Sequence, residues 1–209
     1  MVLGLAALAG WLLVRGLVSR SVPWIGIAVV LVPLVGLGYT ERQWQSAEQV
    51  FSKAAVALAP QADGIHCQRL GETFTYAGAE LGHVWFDASG DPDGTAFIAY
   101  DVCQDLTEYW QSSVQHKATP TIDELVAVHV LSHEAMHLKG VLPEALAECE
   151  AMQHNAWLAE ALGARPEDAQ ALAERYWLAI YPRMPAEYRT DRCYEDGPLD
   201  RTPGDGIWP

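Results

Sequence analysis

Three rhythms of hydrophobic and polar positions follow one another along the chain, and each predicts a different kind of element. Residues 2–14 (VLGLAALAGWLLV) are apolar throughout, Arg15 interrupts, and Ser19-Arg20-Ser21 precedes an unbroken apolar run of 18 residues from Val22 to Tyr39. At about 1.5 Å per residue that second run is long enough to cross a bilayer as a helix. Pro33 within it kinks such a helix without forbidding insertion. From Glu41 to Ala59 the pattern turns amphipathic, with Val50, Phe51, Ala54, Ala57 and Leu58 spaced for one helical face. Pro60 to Gly64 breaks it. Ala79–Asp87 and Thr95–Val102 then alternate and are rich in β-formers, with the turn cluster ASGDPDG between them. They predict an antiparallel pair or small sheet.

Helical spacing returns over Gln104–Lys117, and Pro120 separates that stretch from the best-patterned part of the chain. Thr121 followed by Glu124 reads as a capping box. Ile122, Leu125, Val126, Val128, Leu131 and Met136 supply an apolar stripe, and Gly140 ends the run. Pro143 suits the first position of a second helix, where its missing N–H would have no partner anyway. That helix is expected to reach about Leu162, where Gly163 stops it. A further one is expected from Pro166 to about Tyr181, before Pro182 and Pro185. The tail from Ala186 has no periodicity. The fold class predicted is α+β: mostly helical, with a small antiparallel sheet, behind an N-terminal transmembrane segment or hairpin.

Charge sharpens the division. All 27 acidic residues lie at or after Glu41, while Arg15 and Arg20 are the only basic residues before it. The remainder carries 11 basic residues against 27 acidic ones, a formal charge of −16. Such a surface repels nucleic acid and anionic head groups. Two domains are therefore expected: a membrane anchor over 1–40, of one or two helices, and a folded domain over 41–209. Arg15 and Arg20 in or before the membrane segment place that domain on the extracytoplasmic side. A cleaved signal peptide is the third option. No clear small-x-small site precedes Glu41, so an uncleaved anchor is preferred.

Four widely spaced cysteines, Cys67, Cys103, Cys149 and Cys193, suit two disulfides in an oxidising compartment. Three pairings are open. The preferred one joins Cys67 to Cys103 and Cys149 to Cys193, tying the tail to the second helix of the capped pair.

The candidate chemistry sits in that pair. Residues 133–137 read HEAMH. On a helix, residues four apart share a face, so His133 and His137 can turn one imidazole nitrogen each to a common metal ion. Glu134, offset beside the first histidine, can serve as general base towards a metal-held water. Two histidines leave a tetrahedral site open. Antiparallel packing sets Glu144 roughly level with His137 and Glu148 roughly level with His133. Either carboxylate can be the third ligand, the other orienting a histidine from behind. His129, one turn before His133, is expected to pack or hydrogen-bond locally.

HEAMH followed by Glu144-Ala-Leu-Ala-Glu148 resembles the gluzincin metallopeptidases, which the pattern matches except that Glu148 stands where Asp or Asn is usual and the connection is shorter. The resemblance implies a zincin-like fold, zinc as cofactor, Glu144 as ligand and Glu148 as orienter. It also implies an edge strand that holds extended substrate, for which Thr95–Val102 is the candidate. Pro143 occupies the place of the third ligand of the metzincin pattern, which excludes that assignment. The block from Cys67 onward is similar to uncharacterised actinobacterial secreted or membrane-anchored HExxH proteins, a likeness that implies no substrate. The expectation is a membrane-anchored zinc metallopeptidase acting on a peptide or protein of the cell envelope. Tyr176, Tyr181 and Tyr188 are candidate oxyanion donors. The alternative is a non-catalytic envelope binding module with a metal-stabilised core.

Overall fold

The computed structural model describes residues 24–69, 72 and 81–209, together with residues 10, 11 and 14. Most of the first apolar run lies outside them. Contacts divide the chain into two units, residues 1–47 and 48–209. Helix α1, Trp24–Leu58, runs through the second apolar stretch and the amphipathic one without interruption, with Pro33 inside it. Among the described residues no helix is long and apolar enough to cross a membrane.

The second unit joins a three-stranded sheet to a cluster of helices. Strands β1 (Gly64–Cys67), β2 (Gly82–Phe86) and β3 (Pro92–Ile98) lie in the order β1-β3-β2. The predicted antiparallel pair is β2 with β3, Gly82 opposite Ile98 and Val84 opposite Ala96. The sheet as a whole is mixed, because β1 adds to the other side of β3 in parallel, from Gly64↔Thr95 to Cys67↔Ile98. This overturns the expectation of an edge strand at Thr95–Val102. β3 is the central strand, and the chain turns helical at Tyr100. Among the described residues β2 is the edge nearer the helices' polar site.

The helices that follow are α2 (Tyr100–Gln111), α3 (Val114–Lys117), α4 (Ile122–Leu138), α5 (Glu144–Met152), α6 (Asn155–Ala161) and α7 (Pro166–Ala179). Two short 3-10 turns, Tyr181–Arg183 and Ala186–Tyr188, lead into the tail. α4 is the axis of the unit. It packs against β2, β3, α2, α5, α6 and α7, and 14 of its 17 residues are buried. It is therefore sheathed all round rather than along one stripe, and its polar residues must find partners inside the protein. The capping box forms as read: Thr121 Oγ1 accepts from Glu124 N–H at 3.1 Å, and Glu124 Oε2 accepts from Thr121 N–H at 2.8 Å.

Two predicted helices are each divided. Gln104–Lys117 breaks at Ser112–Ser113, where Ser113 Oγ caps α3 by accepting from His116 N–H. The stretch from Pro143 to Leu162 breaks after Met152. There Gln153 turns its amide to the carbonyls of Cys149 and Leu199, 2.9 and 3.0 Å away, and so docks the tail. Two disulfides brace the unit: Cys67–Cys103 joins β1 to α2, and Cys149–Cys193 joins α5 to the tail.

Candidate metal centre

The site begins with a turn. Gly140 adopts φ +95°, the left-handed conformation glycine reaches without cost. Val141 N–H then donates to Met136 O and Gly140 N–H to His137 O, closing the end of α4. Pro143 is the N-cap of α5 rather than its first helical residue. This short reversal sets α5 antiparallel to α4, with Glu144 and Glu148 facing the histidines.

On one side of the pair, three ligand atoms converge. His133 Nε2 lies 3.0 Å from His137 Nε2. Glu144 Oε2 lies 3.1 Å from the first and 3.3 Å from the second. Tetrahedral zinc with ligands at 2.0–2.1 Å needs donor atoms about 3.3 Å apart. The spacing is thus close to what a small divalent cation requires. The tautomers agree. His137 Nδ1–H donates to Val141 O at 2.7 Å, and His133 Nδ1–H donates to Glu148 Oε2 at 3.1 Å. Both Nδ1 protons being committed, each Nε2 presents a lone pair to the same point. These residues can hold a metal ion.

With a proton in the metal's place, the electrostatics show the same demand for positive charge. Burial opposes a charge on His133, yet its contacts with Glu144 and Glu148 and the nearby Glu134 raise its pKa to about 10. Hydrogen bonds from His133 and His137 hold the Glu144 carboxyl down to about 2.

On the other side of His133 lies a second cluster. Glu148 Oε2 accepts from His129 Nε2–H at 2.9 Å as well as from His133, and Glu148 Oε1 accepts from the Tyr176 hydroxyl at 2.8 Å. His129 Nδ1 accepts from Asn155 Nδ2–H at 3.0 Å, and its ring stacks on Tyr176 with centroids 3.7 Å apart. Burial works against the Glu148 charge, but His129 and His133 outweigh it and keep the carboxyl well below its ordinary range. Burial first, and the Glu148 charge second, push the Tyr176 phenol up. His129, His133 and Glu148 also bring three ligand atoms together. Each of those atoms already has a hydrogen-bond partner, so this cluster reads as a brace behind the site.

Glu134, 3% exposed, faces the same cavity of about 1000 Å³ as His133, His137, Glu144 and Glu148. β2 forms one wall, with Val84, Trp85 and Phe86; the segment from Met184 to Tyr188 forms another. Of the three tyrosines considered as donors, the Tyr176 hydroxyl is committed to Glu148 and that of Tyr181 donates to Thr190 O. Tyr188 lines the cavity, its ring 5.8 Å from that of His133. His83 stacks on Phe97 in the β2 wall. Asn155 escaped the sequence reading altogether. His129, expected to pack or hydrogen-bond locally, does hydrogen-bond, with Glu148 and Asn155 as its partners.

No family model matches the chain, and no curated protein or solved structure matches it either.

Proposed function

We propose that this chain is a zinc-dependent metallopeptidase, held to a membrane by its N-terminal apolar segment with the folded unit on the extracytoplasmic side. The observation that carries the reading is the convergence of two bare Nε2 atoms and Glu144 in one cavity with the buried carboxylate Glu134. His133, His137 and Glu144 would hold the zinc. Zinc supplies a Lewis acid that polarises a peptide carbonyl and lowers the pKa of water. Glu134 takes the proton from the attacking water and passes it to the leaving amine. Glu148 faces Nδ1 of His133, away from the Nε2 pair, so it would orient a histidine while His133, His137 and Glu144 would hold the metal. The gluzincin-like reading of the Glu144–Glu148 pair rests on these residues alone.

β2 replaces β3 as the strand against which an extended peptide would lie, since it is the sheet's edge beside the cavity among the described residues. The two disulfides support an oxidising location, and with it a cell-envelope peptide as substrate. The test is zinc content and peptide hydrolysis of the full chain. About one zinc per chain is expected, lost in His133→Ala and Glu144→Ala. In Glu134→Gln the zinc should stay while hydrolysis falls at least about 100-fold. Folded protein that stays metal-free when zinc is supplied would overturn the reading, and so would full activity in Glu134→Gln.

A further inference from the structure

Gly82 stands at the start of β2, where its backbone pairs with Ile98 of the central strand. The carbonyl of its neighbour Leu81 accepts from Ala99 N–H at 3.0 Å. The sheet thus fastens this end of β2 from one side. From the other side comes Glu134, carried on the deeply enclosed helix α4. A Cβ placed on Gly82 would lie 2.6 Å from Glu134 Oε1 and 2.9 Å from both its Cδ and its Cγ. Carbon atoms meet comfortably at about 3.5–4.0 Å, so no side chain fits between strand and carboxylate.

Backbone conformation is not the reason for glycine here. Gly64 and Gly94 also face close neighbours, but both have φ in the left-handed range, +145° and +91°. Gly82 has no such φ and its backbone would accept alanine. What it lacks is room. Because Cγ of Glu134 is as close as the carboxyl carbon, turning the carboxylate about its last bond relieves nothing. The side chain has to leave its rotamer, or the strand has to move away from α4.

We infer that Gly82 is a positioning residue for Glu134: the missing side chain lets the carboxylate rest directly on the edge strand, so one contact sets the place of the base relative to the strand that would hold the substrate. The inference rests on the peptidase reading for its catalytic consequence, and on the packing alone for the contact itself. A displacement of about 1 Å in such a group costs on the order of 100-fold in rate. The metal ligands lie on other residues and are left in place.

The experiment is a cycle of Gly82→Ala, Glu134→Ala and the double variant, made in the full chain. Melting temperature is measured with chelator present, zinc content without it, and kcat and KM on a peptide that the wild type cleaves. Gly82→Ala is expected to keep its zinc, to lose about 100-fold in kcat with KM changed less than about threefold, and to melt several degrees lower. In the Glu134→Ala background the same substitution should cost less than half that shift, because the clash is gone. Additive melting shifts would overturn the inference. So would an undiminished kcat in Gly82→Ala, or loss of zinc from it, which would make Gly82 a residue of the fold instead. A wild type that binds zinc and cleaves no peptide would sink the peptidase reading, and the melting cycle would still decide the contact.

Discussion

His133 faces two environments, and the contrast between them is instructive. Its Nε2 edge looks into the cavity, where a second bare nitrogen and the partly exposed Glu144 converge on one point. Its Nδ1 edge looks into the core, where His129, Glu148, Tyr176 and Asn155 form a closed chain of donors and acceptors. Both edges belong to groups of three potential ligand atoms within 4.8 Å of one another. Proximity therefore does not separate a metal centre from a hydrogen-bonded brace. Donor–acceptor parity does. In the core cluster every acceptor meets a donor, whereas in the cavity cluster two neutral imidazole nitrogens would face each other as acceptors across 3.0 Å, a mismatch that either a proton or a metal ion between them relieves.

The largest effect that would sharpen this contrast comes from removing each carboxylate in turn. Glu148 is 1% exposed and serves three partners. Glu148→Ala should cost about 3–5 kcal/mol, as breaking a buried ionic pair does, and should lower melting temperature even with chelator present. Glu144→Ala should lower the chelated protein's melting temperature by less than Glu148→Ala does, because the Glu144 side chain is 42% exposed, and should abolish metal-dependent stabilisation. Equal losses in the chelated state would erase the distinction between brace and metal centre.

A smaller effect should appear in Tyr176→Phe. It deletes one hydrogen bond to a charged acceptor and leaves the ring stacked on His129, a loss of about 1.5–3 kcal/mol. Metal content should not change; a variant that no longer binds metal would show that the brace and the centre are one unit.

A third test concerns pH. In metal-free protein the His133 pKa is raised from 6.5 to about 10, so its stabilising contribution is full below 6.5 and fades as pH rises through about 10. The Glu144 pKa is lowered from 4.5 to about 2, so its contribution is present above 4.5 and fades as pH falls through about 2. Solvent screening weakens the latter, since the side chain is 42% exposed. Metal-free protein should thus gain most from the cluster between pH 4.5 and 6.5. Saturating zinc should remove the alkaline decline, because the metal takes the proton's place. Melting curves across pH with zinc and with chelator would check this, and an alkaline decline that persists under zinc would count against Nε2 ligation.

Much of this site is legible along the chain because it is made from local signals. Thr121 and Glu124 announce the start of α4, Gly140 its end, and the spacing of His133, His137, Glu144 and Glu148 follows from helix geometry and a short turn. The legible part stops where pairing becomes long-range. β1 has only four residues and pairs in parallel with a strand about thirty residues later. Nothing in Gly64–Cys67 reveals that it displaces β3 from the edge. Tyr100 and Val102 carry β-forming side chains, yet with Asp101 between them they begin α2, where Val102 is buried in the helix's packing. The break after Met152 involves no glycine or proline; Gln153 and Asn155 find partners at Leu199 and His129 that sequence spacing does not foretell. The role of His129 needs Tyr176, Asn155 and Glu148 brought together from three different helices.

The Cys149–Cys193 bridge closes a covalent ring of chain that contains α6, α7 and the Met184–Tyr188 wall of the cavity. A single backbone cut inside that ring leaves two pieces still joined. For a molecule proposed to cut peptides, a cut in the segment that borders its own cavity would be self-cleavage. Such nicking would pass as one intact species in a non-reducing gel and resolve into two bands on adding thiol, so the ring turns a routine purity check into a record of autolysis.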